Sequence, residues 1–276
     1  MHIITDQLPS YRLPPIDEVA IAVQFQGIER FSLAYGAFFE RVRDKFPSYE
    51  EHDPIAVQFE TFGRSQETGS EISLESLSLR RGWYVSADGH ELVQLQPNRL
   101  VQNWRKIEGK GEYPRFPAVF GRFQENLKVI SEVLSDLGLA ELSANQAEIT
   151  YFNNILLLEG ENHISAFERV FNWPQAASLT QEAGDFRLEP EGANLTVGFR
   201  VFAPGSEAPC ARLVATAVPA ETEAGKKIVR FQLRFRGPPG RDCSLEDFLQ
   251  VGRAAIVRSF TDLTSPACHT IWGREK

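Results

Sequence analysis

Arginine recurs at alternate positions along one stretch in the last quarter of the chain. Arg230, Gln232, Arg234 and Arg236 interleave with Val229, Phe231, Leu233 and Phe235. In an extended strand that alternation puts the polar groups on one face and the apolar side chains on the other. Arg187, Arg200 and Arg212 fall in neighbouring stretches of the same kind, where the pattern alone does not fix their side of a sheet. The first half carries amides instead: Gln24, Gln58, Gln94, Gln96 and Gln102. Guanidinium forks suit phosphate or carboxylate, and side-chain amides suit bases or peptide groups. A sheet with an Arg-rich half and a Gln-rich half is therefore a candidate binding surface. Its candidate ligand-binding residues are Arg230, Arg234, Arg236, Arg200 and Arg212. If the sheet is the site, replacing Arg230, Arg234 and Arg236 together by alanine is expected to abolish partner binding and leave the melting temperature nearly unchanged. The plainer reading is a solvated sheet face, because any one-sided antiparallel sheet needs alternating polar residues. Few aromatic residues alternate onto the polar side, which places nucleic acid behind a protein or anionic partner.

Other chemistry is sparse. The histidines are His2, His52, His90, His163 and His269, and none has zinc-site spacing with another ligand. Cys210, Cys243 and Cys268 are too widely spaced to suggest a disulfide frame and fit buried thiols in a reducing compartment. Cys268-His269 reads as an ordinary surface or tail pair rather than a catalytic dyad, since adjacent side chains point apart in regular structure. No phosphate-binding loop, nucleophile elbow, metalloprotease helix or dinucleotide fingerprint is present. Gly237-Pro238-Pro239-Gly240 cannot serve as a phosphate loop, because proline offers no N–H, and reads as a rigid turn from strand to helix. No catalytic residue, metal or cofactor is expected, and the reading leans away from an enzyme.

The elements that would position the arginines come in two sets. Phe39-Glu40-Arg41-Val42 recurs as Phe167-Glu168-Arg169-Val170, and both copies run to an aromatic-proline stop, Phe46-Pro47 and Trp173-Pro174. An apolar strand precedes each: Val19, Ile21, Val23 and Phe25 in the first, Ile149 and Tyr151 in the second, where Asn153 replaces Phe25. A helical stripe over Phe116, Val119, Phe120, Phe123, Leu127, Ile130, Leu134 and Leu137 is matched by Leu245, Phe248, Leu249, Ile256 and Leu263. Gly252, Ser259 and Pro266 interrupt the second stripe. Ser244 with Asp247 is a capping signal, and Gly138 is placed to end the earlier helix. Strands are expected at 55–62, 77–87, 90–96 and 99–104 in the first half, and at 178–189, 194–203, 211–218 and 227–236 in the second. Asp88-Gly89 predicts a two-residue hairpin with positive φ at both positions, and Pro97-Asn98 a second turn. Gly192, Pro204-Gly205 and Gly225 punctuate the second half.

Each half thus reads strand, helix, four strands, helix. The expected fold is α+β: two tandem βαββββα repeats, residues 1–140 and 141–276, joined in a curved antiparallel sheet with helices on one face. That order resembles the TATA-binding-protein-like architecture. A helix-grip fold has a related order, but the chain has two long amphipathic helices rather than one. The natural alternative to a binding face is an enzyme or small-ligand pocket between the halves.

A chain of 276 residues has ample material for a core, and 42% hydrophobic with 24% charged residues is ordinary for a globular protein. A net charge of −8 argues against a generally basic nucleic-acid binder but leaves room for a local basic patch. Residues 1–10 lack a secretory pattern, and no apolar run approaches the roughly 20 residues that span a bilayer. A cytoplasmic protein without membrane association is expected. Exposed edge strands could pair into a homodimer. Trp83, Tyr84 and Trp104 are expected in the core, and Trp272 is expected to anchor the C-terminus.

Three motifs form a further set. Pro14-Pro15-Ile16-Asp17-Glu18-Val19 opens the first strand, Asn103-Trp104 and Tyr113-Pro114 precede the long helix, and Tyr151-Phe152-Asn153 lies in the strand after it. The set resembles a sporadically distributed bacterial protein family to which no activity or catalytic residues are assigned. The resemblance covers most of the chain and implies no site residue. The patchy distribution suggests mobile-element, defence or toxin–antitoxin-like settings.

Overall fold

The computed structural model describes residues 8–62, 80–107, 110–172, 181–183, 186–188, 192–240 and 243–276. Among these described residues, eleven strands and five helices follow in chain order. They are β1 (Ile16–Phe25), α1 (Ser32–Val42), β2 (Ser48–His52), β3 (Arg81–Val85), β4 (Glu91–Gln96), β5 (Arg99–Arg105) and α2 (Phe116–Asp136). After these come β6 (Ala144–Leu156), α3 (His163–Val170), β7 (Gln181–Ala183), β8 (Phe186–Leu188), β9 (Leu195–Phe202), β10 (Pro209–Glu221), β11 (Lys227–Gly237), α4 (Leu245–Leu263) and α5 (Pro266–Ile271). The fold is α+β, with one nine-stranded antiparallel sheet in the order β2-β3-β4-β5-β1-β6-β11-β10-β9. Among the described residues β7 and β8 pair with each other, outside the large sheet.

Alternation along the strands makes the sheet two-faced. On β1, Val19, Ile21, Val23 and Phe25 are buried on the helix side, while Glu18, Ala20, Ala22 and Gln24 look the other way. The register carries the same division across the sheet, since Gln24 stands between Arg99 of β5 and Gln146 of β6. On β11, Phe231, Leu233 and Phe235 are fully buried under the helices. One apolar cluster continues from Phe38 and Tyr84 at one end to Phe248 and Phe260 at the other. Burying a phenylalanine of this kind stabilises by about 1.5–3 kcal/mol, so this cluster, rather than the polar face, supplies the driving force for the sheet.

The helix ends follow local chemistry. Gly138, at φ 62°, ends α2, and the amide of Leu139 reaches back to the carbonyl of Leu134 at 2.9 Å. Ser244 caps α4 by accepting the Asp247 amide at 3.0 Å, and Asn162 and Ser165 form a reciprocal cap on α3. Gly252, the break in the second apolar stripe, has a packing reason: a Cβ there would meet Cδ1 of Phe235 at 2.5 Å. The helix approaches the sheet closely because it has no side chain at that point.

Several expectations are corrected. Residues 55–62 form no strand; they cross the polar face, as described below. β2 stands instead at Ser48–His52, where exposed Glu50 and Glu51 gave no alternation to read. The expected strand at 77–87 is confined to Arg81–Val85, with 77–79 outside the described residues. The stretch 178–189 holds two three-residue strands rather than one, and the rest of it lies outside the described residues. Trp173-Pro174 also lies outside them. Asp88-Gly89 is not a two-residue turn. Ser86 and Glu91 close a longer loop in which only Gly89 takes positive φ, while the Asp88 carboxylate accepts from Ser86 Oγ at 2.7 Å and the His90 amide at 3.0 Å. Cys268-His269 is no surface pair: both are buried, and His269 Nε2 lies 2.9 Å from the Thr264 hydroxyl. Trp272 is buried against Phe260 and Tyr11, and it ties down the C-terminal segment as expected.

Candidate functional site

The polar face of the sheet is covered along one band by residues 53–62, an extended strap that runs across the strands. Its contacts follow the strand order. The Ile55 amide donates to Gln96 Oε1 on β4 at 2.9 Å, and Gln96 Nε2 returns a bond to the Ile55 carbonyl at 2.8 Å. The Gln58 amide donates to Gln24 Oε1 on β1 at 3.0 Å. The Glu60 amide donates to Gln146 Oε1 on β6 at 3.2 Å. A strap that crosses a sheet cannot join its ladder, so its backbone groups need side-chain partners. Glutamines at one level of β4, β1 and β6 provide them.

Glu60 pins the far end. Its side chain is 2% exposed and lies between two guanidinium groups. Arg212 Nε on β10 donates to Oε2 at 2.9 Å, and Arg236 Nη2 and Nε on β11 donate to Oε1 at 2.8 and 3.1 Å. Arg212 also reaches the Thr61 carbonyl at 3.1 Å, and Arg236 bonds the Gln58 side chain and lies 3.5 Å from Glu148. Charge-assisted bonds of this geometry are the strong class of protein hydrogen bond.

The five sequence-identified arginines therefore divide. Arg212 and Arg236 are committed to Glu60, and Arg236 is buried, which argues for a stability cost on its replacement. Arg230 is exposed, with one long contact of 3.4 Å to Asn154 Oδ1. Arg234 stands opposite Thr150 and Val214 and makes no hydrogen bond or ion pair among the described residues. Arg200, on the edge strand β9 and opposite Arg212, lies over the Phe202 ring at 5.8 Å. Arg187 sits on β8, outside the main sheet. Of the glutamines, Gln24, Gln94 and Gln96 are on the polar face, and Gln58 is on the strap. Gln102 is on the helix side, fully buried, where its Oε1 accepts from Asn126 of α2 at 2.8 Å.

A second polar group at the other end of the face was not read from the sequence. Arg81 Nη1 donates to Gln94 Oε1 at 2.7 Å, Gln94 Nε2 donates to Asn103 Oδ1 at 2.8 Å, and Asn103 Nδ2 donates to Glu18. This chain of contacts spans β3, β4, β5 and β1. Burial raises the Glu18 carboxyl above the ordinary range, and the Asn103 bond and the charge of Arg105 oppose that rise. Asp17 is also raised by burial, against the pull of Lys106, Asn154 and Arg230. Trp83, expected in the core, lies half-buried on this face instead. His52 stacks on it at 3.8 Å, and the Arg81 and Arg105 guanidiniums lie over it at 5.4 and 5.7 Å. The signal that could have found the group was the alternation of Arg81 with Trp83 and of Asn103 with Arg105.

The motif residues gather near the middle of the sheet. Glu18 and Asn103 meet on the polar face. Trp104, Tyr113 and Tyr151 pack in series under the helices, with the two tyrosine hydroxyls 3.2 Å apart. Burial pushes the Tyr151 hydroxyl up to about 12. Asn153 is buried and donates to the Phe231 carbonyl at 3.0 Å. These contacts account for the motifs as packing.

Two surface hollows lie away from the polar face, one along Leu156–Leu158 with Glu161 and Lys226, the other beside Pro266, His269 and Arg274. Among the described residues no group of three or more histidine, cysteine or acidic side chains could hold a metal ion. No helix among them is long and apolar enough to cross a membrane. Comparison with protein-family models and with the curated proteins finds no match to this chain.

Proposed function

We propose that this chain is a non-enzymatic binding protein that holds an extended, acidic partner segment on the polar face of its sheet. One observation carries the reading: the face grips a stretch of its own chain in that manner. Glutamine side chains hold the strap's backbone, and Arg212 and Arg236 take its carboxylate. The same groups suit any extended polypeptide with a carboxylate at the matching position. Arg200, Arg230 and Arg234 flank the occupied pair and offer the first contacts, whereas Arg212 and Arg236 become available only if Glu60 gives way.

The sheet order supports a companion proposal, two tandem βαββββα units in a TATA-binding-protein-like arrangement, with units at 1–140 and 141–276. β1 and β6 pair at the centre, flanked in matching succession by β5, β4 and β3 on one side and β11, β10 and β9 on the other. The separate β7–β8 pair departs from that scheme. Membership of the sporadically distributed bacterial family belongs to the same proposal.

The test is fluorescence anisotropy with a labelled peptide of the sequence of residues 53–62. It is titrated at low salt into the full chain, into E60A, and into the triple variant R200A/R230A/R234A. E60A should bind the peptide more tightly than the parent chain, because its arginine pair has lost the internal competitor. The triple variant should bind more weakly. No binding to E60A at low salt overturns the reading. A random DNA oligomer that binds with a steep salt dependence would assign the arginines to phosphates instead.

A further inference from the structure

Three buried nitrogen donors on β3 and β5 have no hydrogen-bond acceptor among the described residues: Arg81 Nε, Trp83 Nε1 and Arg99 Nε. The general rule is that buried polar atoms are paired, and an orphan among them calls for an explanation, of which a bound water or ion is one. Here the orphans share a region. Arg99 stands opposite Gln96, Leu95 of the same strand stands opposite Gly82, and Arg81 therefore falls in one row with Gln96 and Arg99. Trp83 is two residues along β3 from Arg81, on the same face.

Each arginine is anchored by one Nη and presents an unpaired Nε. Arg81 Nη1 is held by Gln94 at 2.7 Å, and Arg99 Nη2 by Gln24 at 2.6 Å, with a longer contact to the Ala56 carbonyl at 3.4 Å. Both anchors are neutral. Asp53 on the strap is paired with Arg80, and its charge also acts on Arg81, against the lowering of the Arg81 pKa by burial. Arg99 is 6% exposed, and burial lowers its pKa; the charges of Arg236 and Arg81 push the same way, against Glu148. Among the described residues neither guanidinium has a carboxylate in ion-pair contact, although the charges of Asp53 and Glu148 reach them, and their unpaired Nε donors suit an acceptor that carries negative charge. The side-on edge by which guanidinium takes an oxyanion in bidentate fashion is Nε with Nη2: in Arg81 the bond to Gln94 comes from Nη1 and leaves that edge, whereas in Arg99 Nη2 already donates to Gln24 and only Nε remains.

We infer that Arg81, Arg99 and Trp83 form a binding site for a small oxyanion, a phosphate or carboxylate group, at the β3–β5 end of the polar face. Arg81 supplies charge and a forked edge, Arg99 supplies charge and a single Nε donor, and the Trp83 indole N–H supplies a neutral donor. This site adjoins the strap, because Arg99 shares Gln24 with the Gln58 amide and reaches the Ala56 carbonyl, but its three donors are not among the groups assigned to the partner segment, so its test does not depend on that reading.

The experiment is isothermal titration of the full chain with inorganic phosphate and, separately, with acetate, at low ionic strength. Saturable binding of phosphate alone assigns the site to a phosphate-bearing ligand, and binding of acetate alone to a carboxylate. R81Q and R99Q should each weaken binding about tenfold or more, since a hydrogen bond between charged groups is lost. W83F keeps an aromatic six-membered ring and removes the pyrrole ring with its N–H, so it should weaken binding about threefold and guards against an arginine variant that fails to fold. K128A, on the exposed side of α2, should bind as the parent does. Failure of both anions to bind the parent chain overturns the inference, as does binding that is unchanged in W83F and in every arginine variant that folds.

Discussion

Removing the Glu60 carboxylate is the sharpest perturbation the structure offers. In the parent chain that carboxylate is 2% exposed and accepts three bonds from Arg212 and Arg236, whose side chains are 20% and 10% exposed. Truncation to alanine leaves two guanidiniums largely out of water without their anion. Breaking a buried pair in this way costs about 3–5 kcal/mol. Arg236 keeps Glu148 at 3.5 Å and Arg212 is partly wetted, which places E60A at the lower end, about 3 kcal/mol. For a chain of this size that is a fall of about 6–12 °C in melting temperature. E60Q keeps the shape and one acceptor and should lose about 2 kcal/mol. Thermal unfolding followed by circular dichroism reads the global cost. Hydrogen exchange at the amides of Ile55, Gln58 and Glu60 reads the strap, because each donates to a glutamine of the sheet. Loss of protection at those amides with a smaller fall in melting temperature would mean that the strap lifts locally. An E60A chain that melts within about 1 °C of the parent and keeps all three amides protected would refute the argument that Glu60 pins the strap.

Three further outcomes are expected. The raised Glu18 pKa means that the folded chain holds that proton more tightly than the unfolded one, so its stabilising contribution is complete below the ordinary carboxylate range and is lost as pH rises through the folded value. The melting temperature of E18Q minus that of the parent should therefore become more positive from pH 4 to pH 7, and a flat difference would count against the assignment. G252A drives a Cβ to 2.5 Å from the fully buried Phe235 ring and should cost about 1–3 kcal/mol in urea unfolding, partly recovered by F235L. N126L strands the buried Gln102 amide and should cost about 1–3 kcal/mol, while the double variant Q102L/N126L should be closer to the parent; equal losses in the two would show that the 2.8 Å bond is unimportant.

Much of the frame was legible because burial is periodic. The alternation at Val19–Phe25 and Val229–Arg236 marks strands with one wet side, and the stripes from Phe116 and Leu245 mark helices that cover the other. Capping at Ser244 and termination at Gly138 are local chemistry and were readable for that reason. The strap was not. Its Ile55, Val57 and Phe59 alternate like a strand, yet it has no ladder, because its backbone partners are side chains from strands distant in sequence.

The sequence by itself determined the α+β class, most of the strands, the paired long helices and the existence of an arginine-lined polar face, since each depends on spacing along the chain. Only the tertiary structure decided what that face holds. Glu60 meets Arg236 across 176 residues and Arg212 across 152, and the pairing follows from a chain crossing that no local pattern encodes. It also decided that Arg81, Trp83 and Arg99 leave their donors unpaired in one region, because strand register, set by the whole sheet, brings β3 and β5 to the same level.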